Sequence, residues 1–363
     1  MNGKIKRRSF FKYLFSLFAF SAGTLFPYKG NRVGRSGKYR PANMGPSIAQ
    51  AKPAGSRMKK IAVEEHIYEK DQHSESSVDR LDKRLMDMDE AGIDMQVISF
   101  ALRYSKKMSP SEDVSNARKT NDTLAEIAEQ YPERLAFYTT LPMLDPDAAV
   151  EELERAVKKL GLKGPMIFSG SDGSYVDERK FWGIYEMAEK LDVPVYIHPG
   201  ALLPDINKPY TTYPILSGPM WGFAAATGLH AMRLIVSGVF DKYPGLKIML
   251  GHLGEGIPYW LWRMDKHYVS DRFMFEKDAP GFDLKKEPSQ YFKDNFYVTT
   301  SGMCWQPVLQ FVLSVLGADK ILFAADYPPE SASEAARFIE SAPISDDEKE
   351  KICHRNAERV LRL

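Results

Sequence analysis

The sequence predicts an α/β protein whose single folded domain is a (β/α)8, or TIM-type, barrel. Short apolar runs rich in Val, Ile, Leu and Phe recur eight times between residues 59 and 326. A stretch with the apolar period of an amphipathic helix follows each run. Strands that alternate with helices indicate parallel βαβ units, and eight such units close a barrel. A doubly wound open sheet is the alternative fold that this pattern leaves open.

The predicted elements follow one another with short connections. The strands span 59–66, 95–100, 134–141, 164–169, 193–198, 246–252, 296–301 and 320–326. The helices span 79–92, 112–130, 146–160, 178–191, 217–240, 255–268, 305–316, 331–341 and 346–361. The pair Asp145-Pro146 predicts the start of the third helix, and Gly161 predicts its end. Residues 269–290 are polar and lack an apolar period, so we predict a surface loop or lid there.

The charges divide the chain near residue 58. The first 58 residues hold 12 of the 49 basic residues and no acidic residue. The part from 59 to 363, which we predict to be the barrel, therefore has 37 basic against 48 acidic residues, a net charge of −11. This acidic balance argues against a nucleic-acid-binding protein, whose surface is basic. An apolar content of 44% excludes a disordered chain, and two cysteines exclude a disulfide scaffold.

Residues 1–30 have the layout of an export signal. A basic stretch with the pair Arg7-Arg8 precedes an apolar run at 13–26. The run Arg-Arg-Ser-Phe-Phe-Lys resembles a twin-arginine signal, which implies export of a folded protein to the periplasm. Residues 31–58 are rich in Gly, Pro, Ser and basic residues and are predicted to be a flexible tether. An uncleaved membrane anchor, a basic helix on the membrane surface and a chance Arg-Arg pair are the alternatives.

Polar residues occupy the C-terminal ends of four predicted strands, where barrel proteins carry their chemistry. They are Glu64 and His66 on the first strand, His198 on the fifth, His252 on the sixth and Asp326 on the eighth. Side chains alternate along a strand, so Glu64 and His66 share one face and Glu65 takes the other. Taken singly, each is explained by a helix cap or by a histidine bonded in the core. Together, imidazoles and carboxylates from four strand ends predict a divalent metal site, for zinc or manganese.

From residue 59 onward the sequence resembles the amidohydrolase superfamily. The resemblance lies with its branch of metal-dependent, non-oxidative decarboxylases, which act on γ-resorcylate, 5-carboxyvanillate or aminocarboxymuconate semialdehyde. The residues that carry it are IAVEEH at 61–66, VPVYIHP at 193–199, GHLGEG at 251–256 and ILFAADYP at 321–328, with shorter matches at 141–149, 181–182, 230–241, 262–265 and 299–302. Within this branch the sequence is most similar to the γ-resorcylate decarboxylases.

The resemblance implies the roles of the site residues. One divalent metal ion, Zn²⁺ or Mn²⁺, would be held by Glu64, His66, His198 and Asp326. Asp326 would also donate a proton, assisted by His252 and, behind it, Glu255. The residues expected on the substrate side are Arg263, His230 and Tyr327. An arginine suits a carboxylate because its guanidinium pairs with both oxygens, whereas for His230 a packing role is an equal alternative.

The implied reaction is the release of carbon dioxide from a small aromatic carboxylic acid of the hydroxybenzoate type. A metal-dependent hydrolase of a lactone, ester or amide is the first alternative, because the same ligands can activate water. An exported protein that binds the metal or ligand without catalysis is the second. We also expect a homo-oligomer, a dimer or tetramer, with no nucleic-acid partner and with membrane contact only through the export signal. Whether Cys304 pairs with Cys353 stays open.

Overall fold

A computed structural model of the protein describes residues 57–68, 81–101, 108–170, 172–200, 202–275 and 279–363. Residues Lys59–Leu363 form one compact unit. The predicted export signal and nearly all of the predicted tether fall on residues 1–56, outside the described residues. Within the described ranges, no helix combines the length and the apolar character that a membrane crossing requires.

Eight parallel strands form the barrel, in the order of the chain. They are β1 Ile61–Tyr68, β2 Met95–Ala101, β3 Leu135–Thr139, β4 Lys163–Phe168, β5 Val195–His198, β6 Ile248–Leu250, β7 Phe296–Thr299 and β8 Ile321–Leu322. Main-chain hydrogen bonds continue from the end of β8 to β1, with Val63 N donating to Phe323 O at 3.0 Å and Asp326 N donating to Glu64 O at 3.0 Å. The ring of strands is therefore joined on both sides of β1, which confirms the predicted barrel and excludes an open sheet.

Thirteen α-helices surround or follow the strands in the described part of the chain. They are α1 Leu81–Ala91, α2 Pro110–Gln130, α3 Pro146–Leu160, α4 Trp182–Leu191, α5 Pro204–Asn207, α6 Gly222–Val236, α7 Val239–Lys242, α8 Ile257–Ser270, α9 Pro288–Asn295, α10 Gln306–Leu316, α11 Ala332–Glu340, α12 Asp346–Glu350 and α13 Asn356–Leu361. The predicted start and end of α3 are correct, since Asp145 accepts from Ala148 N and Gly161 is left-handed with φ 71°.

Three predicted elements differ from the structure. The segment 217–240 is two helices, because Gly238 adopts φ 80° between α6 and α7. The last predicted helix, 346–361, is interrupted by a π-helical turn at Lys351–Arg355. The predicted loop 269–290 contains a short 3₁₀ helix, Arg272–Met274, and the start of α9. Pro288 at the first turn of α9 is the start signal that the prediction overlooked.

Two of the strands that lead to the site are shorter than predicted. β6 stops at Leu250 and β8 stops at Leu322, although the apolar run after Leu322 continues to Ala325. His252 and Asp326 adopt the left-handed backbone, with φ of 53° and 68°, and a β-ladder cannot contain such residues. A non-glycine residue in this region costs of order 1 kcal/mol, so the surrounding contacts must hold both turns in place.

A β-bulge in β1 sets the direction of the side chains that follow it. Ala62 pairs with Gln96 and Glu65 pairs with Ile98, so β1 has one residue more than β2 between these pairs. Val63 lies in the core cluster inside the barrel, and Glu64 follows it on the same side instead of alternating. The bulge therefore turns Glu64 and His66 inward and leaves Glu65 on the outer face of β1.

Candidate metal centre

The structure brings the four predicted ligand side chains to one point at the C-terminal end of the barrel. One ligand atom from each of Glu64, His66, His198 and Asp326 lies within 4.8 Å of the other three. His66 Nε2 is 3.0 Å from Asp326 Oδ1, and His198 Nε2 is 3.4 Å from Glu64 Oε1. Since β1, β5 and the end of β8 supply them, the closed barrel is what makes this cluster possible.

Glu64 presents one carboxylate oxygen to the cluster and binds the barrel wall with the other. Its Oε2 accepts hydrogen bonds from the hydroxyls of Tyr196, Ser301 and Thr299, the last at 2.6 Å. Its Oε1 is buried and has no hydrogen-bond partner among the described residues. A buried carboxylate oxygen without a donor is costly, so this atom is suited to a cation.

Both histidines are turned so that Nε2 faces the same point. His198 Nδ1 lies 2.8 Å from the carbonyl oxygen of Pro199, and His66 Nδ1 lies 2.7 Å from Ser99 Oγ. Because a carbonyl oxygen only accepts, His198 carries its proton on Nδ1 and leaves the Nε2 lone pair free. The Nε2 atoms of both rings are buried and form no hydrogen bond within the described part of the chain.

The protonation states favour a metal ligand set. Burial, together with the charge of nearby His66, lowers the pKa of His198 well below its usual range, so its ring is neutral. Burial raises the pKa of Asp326, but His252 and His66 more than offset this and hold it below the ordinary value. Two imidazoles and two carboxylates, with unpartnered atoms on Glu64, His66 and His198, fit one borderline divalent ion such as zinc or manganese.

His252 and Glu255 form a pair beside Asp326. His252 Nδ1 lies 2.7 Å from Glu255 Oε1, and its Nε2 lies 3.6 Å from Asp326 Oδ2. Burial lowers the pKa of His252, but the charge of Glu255 and the hydrogen bonds to Asp326 and Glu255 together more than offset burial and raise the pKa well above the usual value. His252 therefore holds a proton next to the carboxylate of Asp326, which is where the sequence predicted a proton-handling pair.

Glycines allow the loops after β6 and β7 to approach the site. A Cβ atom at Gly251 would lie 2.7 Å from Glu64 Oε1. A Cβ at Gly302, whose φ is 57°, would lie 3.2 Å from His252 Cδ2. Larger residues at these positions would displace a ligand atom or the proton-holding ring.

Two aromatic side chains that the sequence did not single out lie against the imidazoles. The ring of Phe168, at the end of β4, is 4.9 Å from that of His198. The ring of Tyr68 is 5.7 Å from that of His66. Tyr68 follows Glu64 and His66 at alternate positions of β1, and this spacing could have identified it. Burial raises the pKa of Tyr68, so its hydroxyl remains a hydrogen-bond donor.

Glu65 and Arg84 are buried on the outer side of β1 and were also missed. Glu65 Oε1 accepts from Ala325 N and Oε2 accepts from Tyr327 N, each at 2.9 Å. Arg84, in α1, donates to the carbonyl oxygen of His66 at 2.5 Å and to Gln96 Oε1 at 2.6 Å. The pair Glu64-Glu65 could have identified Glu65, because only one of two neighbouring glutamates on a strand can face the barrel interior.

The structure places Tyr327, a predicted substrate residue, outside the ligand cluster. Its hydroxyl donates to Asp87 Oδ2 at 2.6 Å, and the Arg84 guanidinium lies 4.8 Å from its ring centre. Both partners belong to α1, outside the barrel wall. Because Asp326 points inward, the next residue points outward, and Tyr327 packs against the helix layer.

The structure does not bring the two other predicted substrate residues into the ligand cluster. Arg263 lies on an exposed face of α8. His230 is buried in α6, where its Nδ1 accepts from Val176 N at 3.3 Å and its ring lies 5.2 Å from that of Tyr175. Burial lowers the pKa of His230 to about 4. The neutral ring of His230 therefore holds the loop after β4 in place, which is the packing role given above as the alternative to substrate binding.

A closed (β/α)8 barrel with Glu, His, His and Asp gathered at the strand ends defines the class of metal-dependent barrel enzymes. The chain belongs to the amidohydrolase family, whose sequence model matches residues 66–363.

Relatives of known activity lie within this family. The chain is 37% identical over 326 residues to the gamma-resorcylate decarboxylase of Polaromonas sp. (strain JS666), covering 84% of this chain and 98% of that protein. The crystal structure of 5-carboxyvanillate decarboxylase from Sphingomonas paucimobilis matches with a TM-score of 0.78 and 32% identity, over 85% of this chain and 100% of the other. The dihydroxybenzoic acid decarboxylase from Polaromonas sp. JS666, solved with manganese and 2-nitroresorcinol, matches with a TM-score of 0.76 and 35% identity, over 85% and 98% of the two chains.

Proposed function

We propose that the protein is a metal-dependent, non-oxidative decarboxylase of a γ-resorcylate-like hydroxybenzoate. The observation that carries this proposal is the pairing of two features at one point. Unpartnered ligand atoms of Glu64, His66 and His198 face Asp326, and a protonated histidine stands beside that carboxylate. A hydroxybenzoate has two oxygens for such a metal, and its decarboxylation needs one proton.

Glu64, His66, His198 and Asp326 would hold one divalent ion. We favour manganese over zinc because a solved relative of the same fold contains manganese. When bound, the ion supplies a positive charge that stabilises the phenolate and carboxylate oxygens of the substrate. The remaining steps depend on the protein's own side chains.

The aromatic side of the site would hold the substrate ring. Phe168 and Tyr68 lie against the imidazoles of His198 and His66 and offer apolar faces to a ring above the cluster. The Tyr68 hydroxyl has no hydrogen-bond partner among the described residues. In our proposal it donates to an oxygen of the bound acid and orients the carboxyl group.

The proton path would run from His252 to Asp326 and then to the substrate. Asp326 is ionised at rest, since neighbouring histidines hold its pKa low, so its proton must come from elsewhere. His252 Nε2, 3.6 Å from Asp326 Oδ2, is the group that supplies this proton. Asp326 delivers the proton to the ring carbon that bears the carboxyl group. The bond between this ring carbon and the carboxyl group then breaks, its electron pair returns to the ring, and carbon dioxide leaves.

A substrate screen tests this function. Purified protein loaded with Mn²⁺ is incubated with 2,6-dihydroxybenzoate and with other hydroxybenzoates, and carbon dioxide is measured. Asp326→Asn should abolish turnover while circular dichroism stays unchanged. Asp271→Asn, at the exposed end of α8, is the matched control and should retain full activity. If no hydroxybenzoate yields carbon dioxide, the proposal is wrong.

A metal-dependent hydrolase is the second candidate, and one observation favours it. Asp326 is ionised because neighbouring histidines hold its pKa below the usual value, and an ionised carboxylate can accept a proton from water. Turnover of a lactone, ester or amide without release of carbon dioxide from hydroxybenzoates would select this function. The aromatic residues Tyr68 and Phe168 favour the decarboxylase.

We propose that the protein is a homo-oligomer assembled through the face formed by α8 and the segments beside it. This face exposes large apolar side chains that a monomer would leave in water. They include Tyr259 (71% exposed) and Trp262 (73%) on α8 and Phe311 (40%) on α10, whose ring lies 6.5 Å from that of Tyr259. Light scattering should give the mass of a dimer or tetramer, and Trp262→Glu should reduce it. A monomeric wild-type protein would contradict this proposal.

We further propose export through a twin-arginine signal at residues 1–30. The basic stretch, the pair Arg7-Arg8 and the apolar run support it. Replacing Arg7 and Arg8 with Lys preserves the charge and should retain the protein in the cytoplasm, as judged by cell fractionation. Export of that variant at the wild-type level would contradict the proposal.

A further inference from the structure

Glu65 stands between two of the ligand residues in sequence but points away from them. The bulge in β1 turns Glu64 and His66 into the barrel, and Glu65 faces the helix layer. Its side chain is fully buried. A buried carboxyl group is retained only where donors satisfy it, and the donors that Glu65 uses are main-chain amides of the segment that follows β8.

The two oxygens of Glu65 hold the residues on either side of Asp326. Oε1 accepts from Ala325 N and Oε2 accepts from Tyr327 N, each at 2.9 Å. A carboxylate that accepts one amide at each oxygen has a fixed orientation, and it fixes the two amides in turn. These two hydrogen bonds therefore fix the main chain on both sides of Asp326, without contact between the Glu65 side chain and the ligand atoms.

These hydrogen bonds are needed because β8 ends before Asp326. The β8 ladder stops at Leu322, four residues before Asp326, whose φ of 68° is outside the strand region. Two main-chain bonds to β1 also hold this turn, from Asp326 N to Glu64 O and from His66 N to Tyr327 O. Glu65 adds two more to the same three-residue segment, residues 325–327. The direction of the Asp326 carboxylate thus depends on β1.

Arg84 supports the same arrangement from α1. Its guanidinium donates to the His66 carbonyl and to Gln96, and it lies over the ring of Tyr327. Its positive charge acts on Glu65 within the same buried layer. Burial raises the pKa of Glu65 to about 8, and the two amides and the charge of Arg84 partly offset this effect.

We propose that Glu65 is a positioning residue that aims Asp326 at the metal. This proposal rests on the proposed function in one respect, namely that Asp326 is a metal ligand. Loss of such an outer contact of a ligand residue typically weakens metal affinity or activity by about 10- to 100-fold. We expect a loss in this range for Mn²⁺ affinity when one of the two acceptor oxygens is removed.

Glu65→Gln tests the proposal, because the amide keeps the shape but replaces one acceptor oxygen with a donor. The matched control is Glu152→Gln in α3, another fully buried glutamate, which accepts from Asn121 and Arg155 away from the cluster. Mn²⁺ affinity of each metal-free protein is measured by titration calorimetry, with the melting temperature alongside. We expect at least a tenfold loss of affinity for Glu65→Gln and less than a twofold loss for Glu152→Gln. Equal affinities in the two variants would overturn the proposal.

Two further measurements apply if Glu65→Gln does not fold. Glu65→Asp keeps a carboxyl group but is one methylene too short to reach both amides, so its Mn²⁺ affinity should also fall at least severalfold. Wild-type affinity in this variant would overturn the proposal. In the metal-free wild type, the amides of Ala325 and Tyr327 should be protected from hydrogen exchange, and exchange as fast as in an exposed loop would also overturn it. A wild-type protein that binds Mn²⁺ but releases no carbon dioxide contradicts the proposed function instead.

Discussion

His252 Nε2 lies 3.6 Å from Asp326 Oδ2, while the other nitrogen of the same ring lies 2.7 Å from Glu255 Oε1. The imidazole thus connects a buried carboxylate to the carboxylate at the metal centre. Because the Glu255 charge keeps the ring protonated, Asp326 has a proton within one short transfer. The barrel places this pair on the loop after β6, next to the end of β8.

Replacing Glu255 with Gln should separate proton storage from metal binding. Without the charge of Glu255, burial dominates and the pKa of His252 falls, so the ring loses its proton at a lower pH. The basic limb of the kcat profile should therefore shift to lower pH, with kcat at pH 8 reduced at least tenfold and Mn²⁺ content unchanged. Steady-state rates from pH 5 to 9 check this. An unshifted profile would exclude His252 as the group that supplies the proton.

Tyr68→Phe should weaken substrate binding without affecting the metal. A hydrogen bond to a charged group contributes about 1.5–3 kcal/mol, so kcat/KM for the hydroxybenzoate should fall about 10- to 100-fold. Tyr213→Phe is the control, because Tyr213 is 65% exposed and lies away from β1. Kinetics and metal analysis of both variants test this. Equal kcat/KM in the two variants would show that the Tyr68 hydroxyl does not contact the substrate.

Gly251→Ala should disturb the metal centre through a single methyl group. The new Cβ would lie 2.7 Å from Glu64 Oε1, so either the loop or the carboxylate must move. We expect Mn²⁺ affinity to fall at least tenfold. Gly218→Ala is the control, because a Cβ there meets nothing within 4 Å and its φ is −104°. Titration of both metal-free variants would reveal whether the close approach of Gly251 matters.

The four ligand positions were predictable because each of them ends or directly follows an apolar run. Each of Glu64, His66, His198 and Asp326 ends or follows a run whose β-branched residues fix the strand, and parallel strands of a barrel bring these ends together. The shortness of β6 and β8 was not predictable, since the left-handed turns depend on contacts with other loops and not on the local sequence.

Contacts across the strands explain what the sequence did not indicate. The bulge in β1 is defined by its register with β2, and no single residue of β1 signals it. Glu65 finds its partners 260 and 262 residues further along the chain. The direction of Tyr327 follows from the inward turn of Asp326 and from its bond to Asp87, and neither is visible in the local sequence.

His230 should make the stability of the protein depend on pH between about 4 and 6.5. Its pKa is lowered by burial to about 4 in the folded state, and its unfolded value is near 6.5. Between these values the unfolded chain binds the extra proton, so the free energy of unfolding falls as the pH falls, by up to about 1.4 kcal/mol per pH unit. Urea unfolding of wild type and His230→Gln from pH 4 to 7 tests this. A pH-independent difference between the two would contradict it.

We propose above that the metal centre, together with His252 and Asp326, releases carbon dioxide from a hydroxybenzoate. The most direct measurement follows carboxyl-labelled 2,6-dihydroxybenzoate with the Mn²⁺-loaded protein in deuterium oxide. We predict one labelled carbon dioxide for each 1,3-dihydroxybenzene formed, with one deuterium on the carbon that carried the carboxyl group. Metal-free protein and metal-saturated Asp326→Asn should yield neither product. Unchanged labelled acid with the Mn²⁺-loaded wild type, or equal carbon dioxide from metal-saturated Asp326→Asn, would contradict the account.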